Sequence, residues 1–157
     1  MEVTVKKYKV CIRAATKGGY WAFVPSLVGC FTQGETMADL EDRIREAVEG
    51  FDEAQPSKED RKVRRGSFYY QKLEEMLLPP LTSRQMIMVL KMEGFETVGW
   101  RERHIFLKHP TKSIVVCVPF LKPGIELDSV LALLIIQESG FIKIQFSDLL
   151  AKIPVTD

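Results

Sequence analysis

The chain contains 157 residues, of which 46% are hydrophobic and 27% are charged. This balance is typical of a folded, soluble protein and excludes the collagen-like and disordered classes. The longest apolar run, residues 130–136, is far shorter than the roughly 20 residues that span a bilayer. The N-terminus carries no secretory apolar region. We therefore expect a cytoplasmic protein with no membrane partner.

Three cysteines, Cys11, Cys30 and Cys117, are scattered along the chain. They form no C-x-x-C pair and have no histidine nearby, so neither a zinc site nor a disulfide framework is predicted. We expect these thiols to be small buried hydrophobic groups in a reducing compartment. The sequence predicts no metal ion and no cofactor.

The charge balance bears on nucleic-acid binding. The formal net charge is +1, and residues 81–157 hold nine Lys and Arg against eight Asp and Glu. Strong nonspecific binding to nucleic acid requires an excess of Lys and Arg on one face, because neutralised phosphates dominate the affinity. DNA is therefore an unlikely partner.

The first elements in chain order are short strands. Residues 8–14 alternate apolar and polar side chains, which predicts a strand with one buried face. Residues 17–19 supply a turn with two glycines, and aromatic and β-branched residues follow at 20–24, which completes a hairpin. Residues 30–32 can form a short third strand.

An amphipathic helix is predicted over residues 37–51. Thr36 and Asp39 have the spacing of a capping box, and apolar residues follow at helical intervals. The charged residues between them, including Asp39 and Glu46, are expected to form the outer side of this helix. Residues 1–51 thus predict a small sheet with one helix packed on it.

Residues 52–80 differ in character and are interpreted as a connector that carries one or two helices. They contain a charged stretch and end at Pro79-Pro80. Neither a helix nor a strand continues easily through paired prolines, so this pair marks the clearest boundary in the chain.

After this boundary the pattern predicts a second unit, residues 81–157. Thr82 and Gln85 again have capping-box spacing, and Gly94 is placed to end the helix that follows. The unit reads as a helix, three strands and a helix, with the strands at residues 96–100, 104–108 and 113–119 and the last helix at 128–139. This order is that of a double-stranded-RNA-binding-type fold, and the fold class of the whole chain is α+β.

Residues 20–37 carry the first family resemblance. The strand is followed by Pro25-Ser-Leu-Val-Gly-Cys30, and Gly34 and Thr36 then open the helix. This arrangement resembles the HicB antitoxin family over about residues 6–51. The resemblance implies a partial RNase-H-like fold that masks a toxin partner without catalysis of its own.

Residues 81–141 resemble the HicA family of small messenger-RNA interferases. The resemblance rests on Leu90-Lys-Met-Glu-Gly-Phe-Glu-Thr-Val, on Arg103-His-Ile-Phe-Leu-Lys-His-Pro, on Val115-Val-Cys-Val-Pro-Phe and on Glu138-Ser-Gly-Phe. It implies that His104 is the catalytic histidine, five residues before the histidine of a His-Pro turn. Its neighbours in the unit supply candidate RNA-binding cations, namely Arg101, Arg103, Lys108 and Lys112.

The chemistry of His104 has two readings. Imidazole titrates near neutral pH, so this side chain can act as a general base on a ribose 2′-hydroxyl or as an acid toward the leaving oxygen. It can equally be a structural histidine on a strand. His109 stands in a turn before proline, where a structural, hydrogen-bonding role is favoured.

Two features of the second unit favour low activity. Glu102-Arg103 stand where HicA proteins commonly have small residues, and a carboxylate there repels phosphate. The last helix carries no positive charge and is apolar on every side over residues 130–136. Such a helix is either a core helix of its own unit or has its second face covered by the HicB-like domain or by a second copy of the chain.

These features together predict a fused toxin–antitoxin-like protein. The HicB-like part masks an RNA-cleaving or RNA-binding HicA-like domain in cis, so that any endoribonuclease activity is weak or absent in the intact chain. The expected partners are RNA and a second copy of the chain, as a homodimer. Within one chain, the HicB-like and HicA-like parts are expected to form an interface. The alternative is a non-enzymatic interaction protein or antitoxin made of two decayed domains.

Overall fold

The computed structural model describes residues 1–54, 80–140 and 151–152. They contain two antiparallel sheets and three helices, which confirms the predicted α+β class. Residues 1–54 are called the first half below, and residues 80–140 the second half. The predicted connector lies outside the described residues from 55 to 79, as does most of the chain after residue 140.

The first half is a four-stranded antiparallel sheet with one helix. The strands occur in chain order in the sheet, and the helix follows the last of them. The elements are β1 (Glu2–Val5), β2 (Tyr8–Ala14), β3 (Tyr20–Phe23), β4 (Phe31–Gly34) and α1 (Met37–Ala54). Leu40, Ile44 and Val48 of α1 are buried at helical spacing, so the predicted amphipathic helix is confirmed and extends three residues beyond its predicted end.

Strand β1 was not predicted. Among the strands that the structure describes it pairs with β2 alone, and its side chains alternate between exposed and half-buried. The turn into β2 uses Lys6 with φ of 54°, a left-handed conformation that glycine usually adopts. The turn has no glycine, so turn residues do not reveal the strand, although Glu2-Val-Thr-Val5 alternates polar and apolar residues and Val3 and Val5 pack against buried core residues.

The second half has the predicted order of helix, three strands and helix. The strands form one antiparallel sheet in chain order. The elements are α2 (Ser83–Met92), β5 (Glu96–Arg101), β6 (His104–Lys108), β7 (Val115–Pro119) and α3 (Ser129–Glu138). No helix in the described parts of the chain is long and apolar enough to cross a membrane.

Helix starts agree with the sequence prediction in one case and differ in the other. Thr82 and Gln85 form a complete capping box at α2. At α1 the Thr36 hydroxyl accepts a hydrogen bond from the Asp39 amide as predicted, but the Asp39 carboxylate accepts from the amide of Glu35 rather than of Thr36. Both oxygens of the Asp39 carboxylate also accept hydrogen bonds from Arg43 Nε, one turn further along the same helix.

Strands β6 and β7 of the three-stranded sheet are buried on both faces, whereas every second residue of β5 is exposed. Ile105 and Leu107 of β6 pack with α2 and α3 in one core cluster. Phe106, on the opposite face of the same strand, packs in a second cluster with α1 and the first sheet, together with Cys117 of β7. This explains why β6 and β7 are apolar at nearly every position instead of alternating.

The two cores interdigitate, because each half contributes side chains to the core of the other. Trp21, Phe23 and Phe31 of the first half lie in the cluster built around α3. Every α3 residue from 131 to 136 is buried. The first half therefore covers the second face of this apolar helix, which is one of the two arrangements that its sequence predicted.

Candidate functional site

His104 lies at the start of β6 and faces the first half. Ile105 and Leu107 point to the helices of the second half, so the alternation of a strand turns His104 and Phe106 toward α1. The His104 side chain is 0% exposed. The candidate catalytic residue is thus enclosed at the junction of the two halves.

Both ring nitrogens of His104 have partners from the first half. Nδ1 lies 2.7 Å from Glu46 Oε2, and Nε2 lies 2.8 Å from Thr32 Oγ1. An ionised carboxylate only accepts hydrogen bonds, so Nδ1 carries the proton and donates it to Glu46. In the neutral ring Nε2 then accepts a hydrogen bond from the Thr32 hydroxyl.

The protonation states of this pair follow from burial and hydrogen bonding. Burial lowers the pKa of His104 below its usual 6.5, although the Glu46 carboxylate opposes this effect. Burial works to raise the pKa of Glu46, but the hydrogen bond and charge of His104 and the amide of Arg103 outweigh it, and the pKa lies below 4.5. The site therefore holds a neutral imidazole oriented by a carboxylate at neutral pH.

Glu46 belongs to a row of carboxylates on α1. Asp39, Glu46 and Glu53 are spaced by seven residues, which is two helical turns, so they lie on one side of the helix. We call these three residues the acidic stripe. Asp39 and Glu46 are half-buried against residues of the second half, which corrects the prediction that they form an outer surface, whereas Glu53 is exposed.

The acidic stripe binds the candidate RNA-binding residues next to His104. Arg103 Nη1 lies 3.7 Å from Asp39 Oδ1, and the Arg103 amide donates to Glu46 Oε1 over 3.1 Å. The Arg101 guanidinium donates to the Glu53 carboxylate. The structure brings Arg101, Arg103 and His104 together and places a carboxylate of α1 near each of them.

The other two predicted cations lie apart from this group. Lys108 is half-buried at the opposite end of β6. Lys112 is exposed in the turn before β7, with Nζ 4.0 Å from Glu93 Oε1. His109 has the predicted structural role, since its Nε2 lies 3.2 Å from the Glu93 carbonyl oxygen and its ring packs on Phe95.

Sequence reasoning missed Thr32 and Glu46. Thr32 is 72 residues from His104, and Glu46 is 58 residues from it, so no local pattern joins them. The available signal was the seven-residue spacing of the acidic stripe, which an ordinary solvated helix face does not require. Within residues 1–54, 80–140 and 151–152, no group of His, Cys, Asp and Glu could hold a metal ion.

Two glycines allow the halves to approach closely at this site. A Cβ atom on Gly50 of α1 would collide with the Phe106 ring, which stands beside His104 on the same face of β6. A Cβ atom on Gly29 would collide with the carbonyl oxygen of Val115. The Gly29 carbonyl accepts a hydrogen bond from the Cys117 amide over 2.7 Å, so the backbones of the two halves are in direct contact.

Comparison with known proteins gives two relatives. A UPF0150 protein of Archaeoglobus fulgidus is 37% identical over 54 residues, which is 34% of this chain and 78% of that protein. The chain belongs to the UPF0150 family. A second UPF0150 protein, from Synechocystis sp., is 42% identical over 52 residues, or 31% of this chain, and the match spans only 66% of that protein. No family model and no solved structure matches the chain.

The name UPF0150 states no activity, so the function of this UPF0150 protein must be argued from its site. An imidazole held by a carboxylate is an arrangement suited to general-base catalysis on a hydroxyl group. In the described conformation that hydroxyl belongs to Thr32, which is itself 2% exposed. The carboxylate that orients the imidazole and the hydroxyl that occupies its other nitrogen both belong to the first half.

Proposed function

We propose that this UPF0150 protein is a fused toxin–antitoxin-like protein, in which a HicB-like first half masks a HicA-like, RNA-cleaving or RNA-binding second half in cis. The burial of His104 between Thr32 and Glu46 carries the proposal, because both partners come from the first half. A phosphodiester cannot reach His104 while these contacts persist.

The second half supports the HicA-like part of the proposal. Its helix, three strands and helix have the order expected of a double-stranded-RNA-binding-type fold. His104 occupies the position that the HicA resemblance assigns to the catalytic histidine, and Arg101 and Arg103 stand beside it. Guanidinium groups are the side chains best suited to phosphate oxygens, because they donate two hydrogen bonds in a fixed plane.

The first half supports the HicB-like part. Its sheet and helix cover the face of the second sheet that carries His104, and both cores share side chains. Because the two halves belong to one polypeptide, masking is an intramolecular event with an effective concentration on the order of millimolar. Even modest contacts between the halves therefore keep the site closed.

An open form would use His104 in a simple step. Nε2 takes the proton of a ribose 2′-hydroxyl while that oxygen attacks the adjacent phosphorus, and the bond from phosphorus to the 5′-oxygen breaks. The departing oxygen takes a proton from water. Arg101 and Arg103 stabilise the charge on the phosphate oxygens.

Substitution of Gly50 tests the proposal in the full chain. Gly50→Leu places a side chain where the Phe106 ring packs on α1, so it separates α1 from β6. We expect Gly50→Leu to bind or cleave a labelled single-stranded RNA that the wild-type chain leaves intact, and cleavage to disappear in the double variant with His104→Ala. Far-UV circular dichroism establishes that the variants are folded. A folded, opened variant that ignores RNA would contradict the proposal.

The decayed-domain alternative has one observation in its favour. Arg101 and Arg103 serve internal ion pairs, and α3 offers no cation for RNA. In that case the stripe and its arginines only join two structural units. The same Gly50→Leu variant distinguishes the masked RNA-cleaving or RNA-binding protein from this alternative, because two decayed domains would neither bind nor cleave RNA after opening.

A further inference from the structure

The groups that surround His104 have the chemistry of an RNA backbone. A hydroxyl, that of Thr32, meets Nε2 at 2.8 Å. A carboxylate, that of Glu46, meets Nδ1 at 2.7 Å. RNA presents the same pair in one nucleotide, a 2′-hydroxyl beside an anionic phosphate, whereas DNA lacks the hydroxyl.

We infer that the first half inhibits the second as a mimic of an RNA strand, with the Thr32 hydroxyl in the position of a ribose 2′-hydroxyl and the acidic stripe in the positions of phosphates. This inference rests on the proposed function and names its substrate class. It assigns a ribose subsite to His104 Nε2 and phosphate subsites to the groups that the stripe contacts.

Glu46 supports the central phosphate subsite. Its two oxygens are held separately, Oε1 by the Arg103 amide at 3.1 Å and Oε2 by His104 Nδ1 at 2.7 Å. Two converging N–H donors bind two oxygens of a phosphate in the same way, and backbone amides commonly supply such contacts to nucleic acids.

The two outer carboxylates of the stripe support flanking subsites. Asp39 and Glu53 lie seven residues before and after Glu46, or about 10 Å along the helix axis. Asp39 binds Arg43 of its own helix at 2.9 to 3.0 Å and lies 3.7 Å from Arg103 Nη1, whereas Glu53, whose side chain is 70% exposed, pairs with Arg101. The two outer carboxylates are thus weaker candidates for phosphate positions than Glu46.

Packing alone does not require this arrangement. The junction combines apolar contacts, such as that of Gly50 with Phe106, with polar ones, such as that of the Thr16 hydroxyl with Asp128 Oδ1 at 2.6 Å. Burial of charged groups in such an interface costs desolvation energy, and apolar residues of similar volume serve stability equally well or better. A hydroxyl and a carboxylate of the first half placed on the two ring nitrogens of a buried histidine are better explained by the surface they cover, if that surface binds RNA.

Removal of Glu46 from the full chain gives the test. Glu46→Ala empties the central phosphate subsite, and inorganic phosphate is the probe, with melting temperature as the readout. A phosphate concentration tenfold above its Kd is expected to raise the melting temperature by about 3 to 6 °C. Glu41→Ala is the matched control, because Glu41 is exposed on the same helix. The control also accounts for the general stabilisation of proteins by phosphate.

An equal rise in Glu46→Ala and Glu41→Ala would overturn the inference. If Glu46→Ala does not fold, Asp39→Ala serves for the same comparison at the flanking subsite of Arg103. The ribose subsite has its own measurement, since the opened Gly50→Leu chain should bind RNA about tenfold more tightly than DNA of the same sequence. Equal affinities for RNA and DNA would show that the Thr32 hydroxyl does not stand in for a ribose 2′-hydroxyl.

The two proposals fail in different ways. RNA cleavage by Gly50→Leu without a specific phosphate effect in Glu46→Ala would retain masking in cis and reject mimicry. A specific phosphate effect together with an opened chain that ignores RNA would retain an anion subsite and reject the ribonuclease-type function.

Discussion

His104 and Glu46 form a hydrogen bond of 2.7 Å across the junction of the two halves, although 58 positions separate them in sequence. The imidazole is completely buried and the carboxylate mostly so. The same contact thus fixes the relative position of β6 and α1 and orients the candidate base. Stability and masking are therefore expected to change together when this pair is altered.

The first prediction concerns pH. The pKa of His104 is lowered in the folded chain, so between that value and 6.5 the unfolded chain binds more protons. The free energy of unfolding therefore increases with pH through this window. The stability that the neutral His104 contributes is lost progressively as the pH falls below about 6.5. Glu46, whose pKa is also lowered, adds a further loss below about 4.5.

Chemical denaturation at a series of pH values between 7 and 5 measures this effect. His104→Gln should flatten the dependence in this window. A wild-type chain whose stability is constant from pH 7 to 5 would show that His104 is not held neutral by burial.

The second prediction concerns α3. Leu134 is 0% exposed in the cluster that the first half covers. Leu134→Asp buries a carboxylate in an apolar cluster, and this is expected to cost several kcal/mol, comparable with the whole stability of a small domain. Ile125→Asp is the matched control, because Ile125 is 47% exposed. Thermal melting and size-exclusion chromatography that show no change in Leu134→Asp would contradict the packing of α3.

The third prediction concerns the start of α2. Thr82 and Gln85 cap each other's backbone amides. Thr82→Ala removes the acceptor for the Gln85 amide and is expected to cost about 1 kcal/mol of stability. Thr82→Ser retains the hydroxyl and should recover most of it. Equal losses in the two variants, measured by urea denaturation, would indicate that the methyl group and not the cap is responsible.

The sequence predicts regular elements well where a pattern is local. Strand β6 has its predicted bounds, and the capping box at Thr82 marks α2 correctly. Strand β1 has a weaker signal, because Lys6 makes its turn in place of a glycine and the alternation of its residues covers only four positions. Local patterns follow from propensity and periodicity, which a short window contains.

The candidate site is only partly accessible to sequence reasoning, for a related physical reason. His104, Arg101 and Arg103 lie within four residues, so one segment predicts them together. Their partners Thr32 and Glu46 arrive through tertiary packing. Helical periodicity shows that Glu46 is on the polar side of α1, but it does not show whether water or another part of the chain covers that side.

The last prediction concerns the activity of the intact chain. We expect no ribonuclease activity above background for the full-length protein at about 0.15 M salt, where the Debye length is about 8 Å. Binding of RNA requires several free cationic contacts, because these dominate affinity for nucleic acids. Arg101 and Arg103 are paired with the acidic stripe, and Glu102, exposed between them, repels phosphate.

Masking by the first half and weak charge complementarity with RNA both lower the expected activity. Measurements at different salt concentrations distinguish the two effects. Lower ionic strength strengthens phosphate contacts but also strengthens the ion pairs of the stripe, so the wild-type chain should stay inactive at about 0.05 M salt. The opened Gly50→Leu chain should instead gain RNA affinity as salt is lowered. Cleavage of a labelled messenger RNA by purified wild-type protein, abolished by His104→Ala, would show that the first half does not close the site, because the base would then reach RNA despite Thr32 and Glu46.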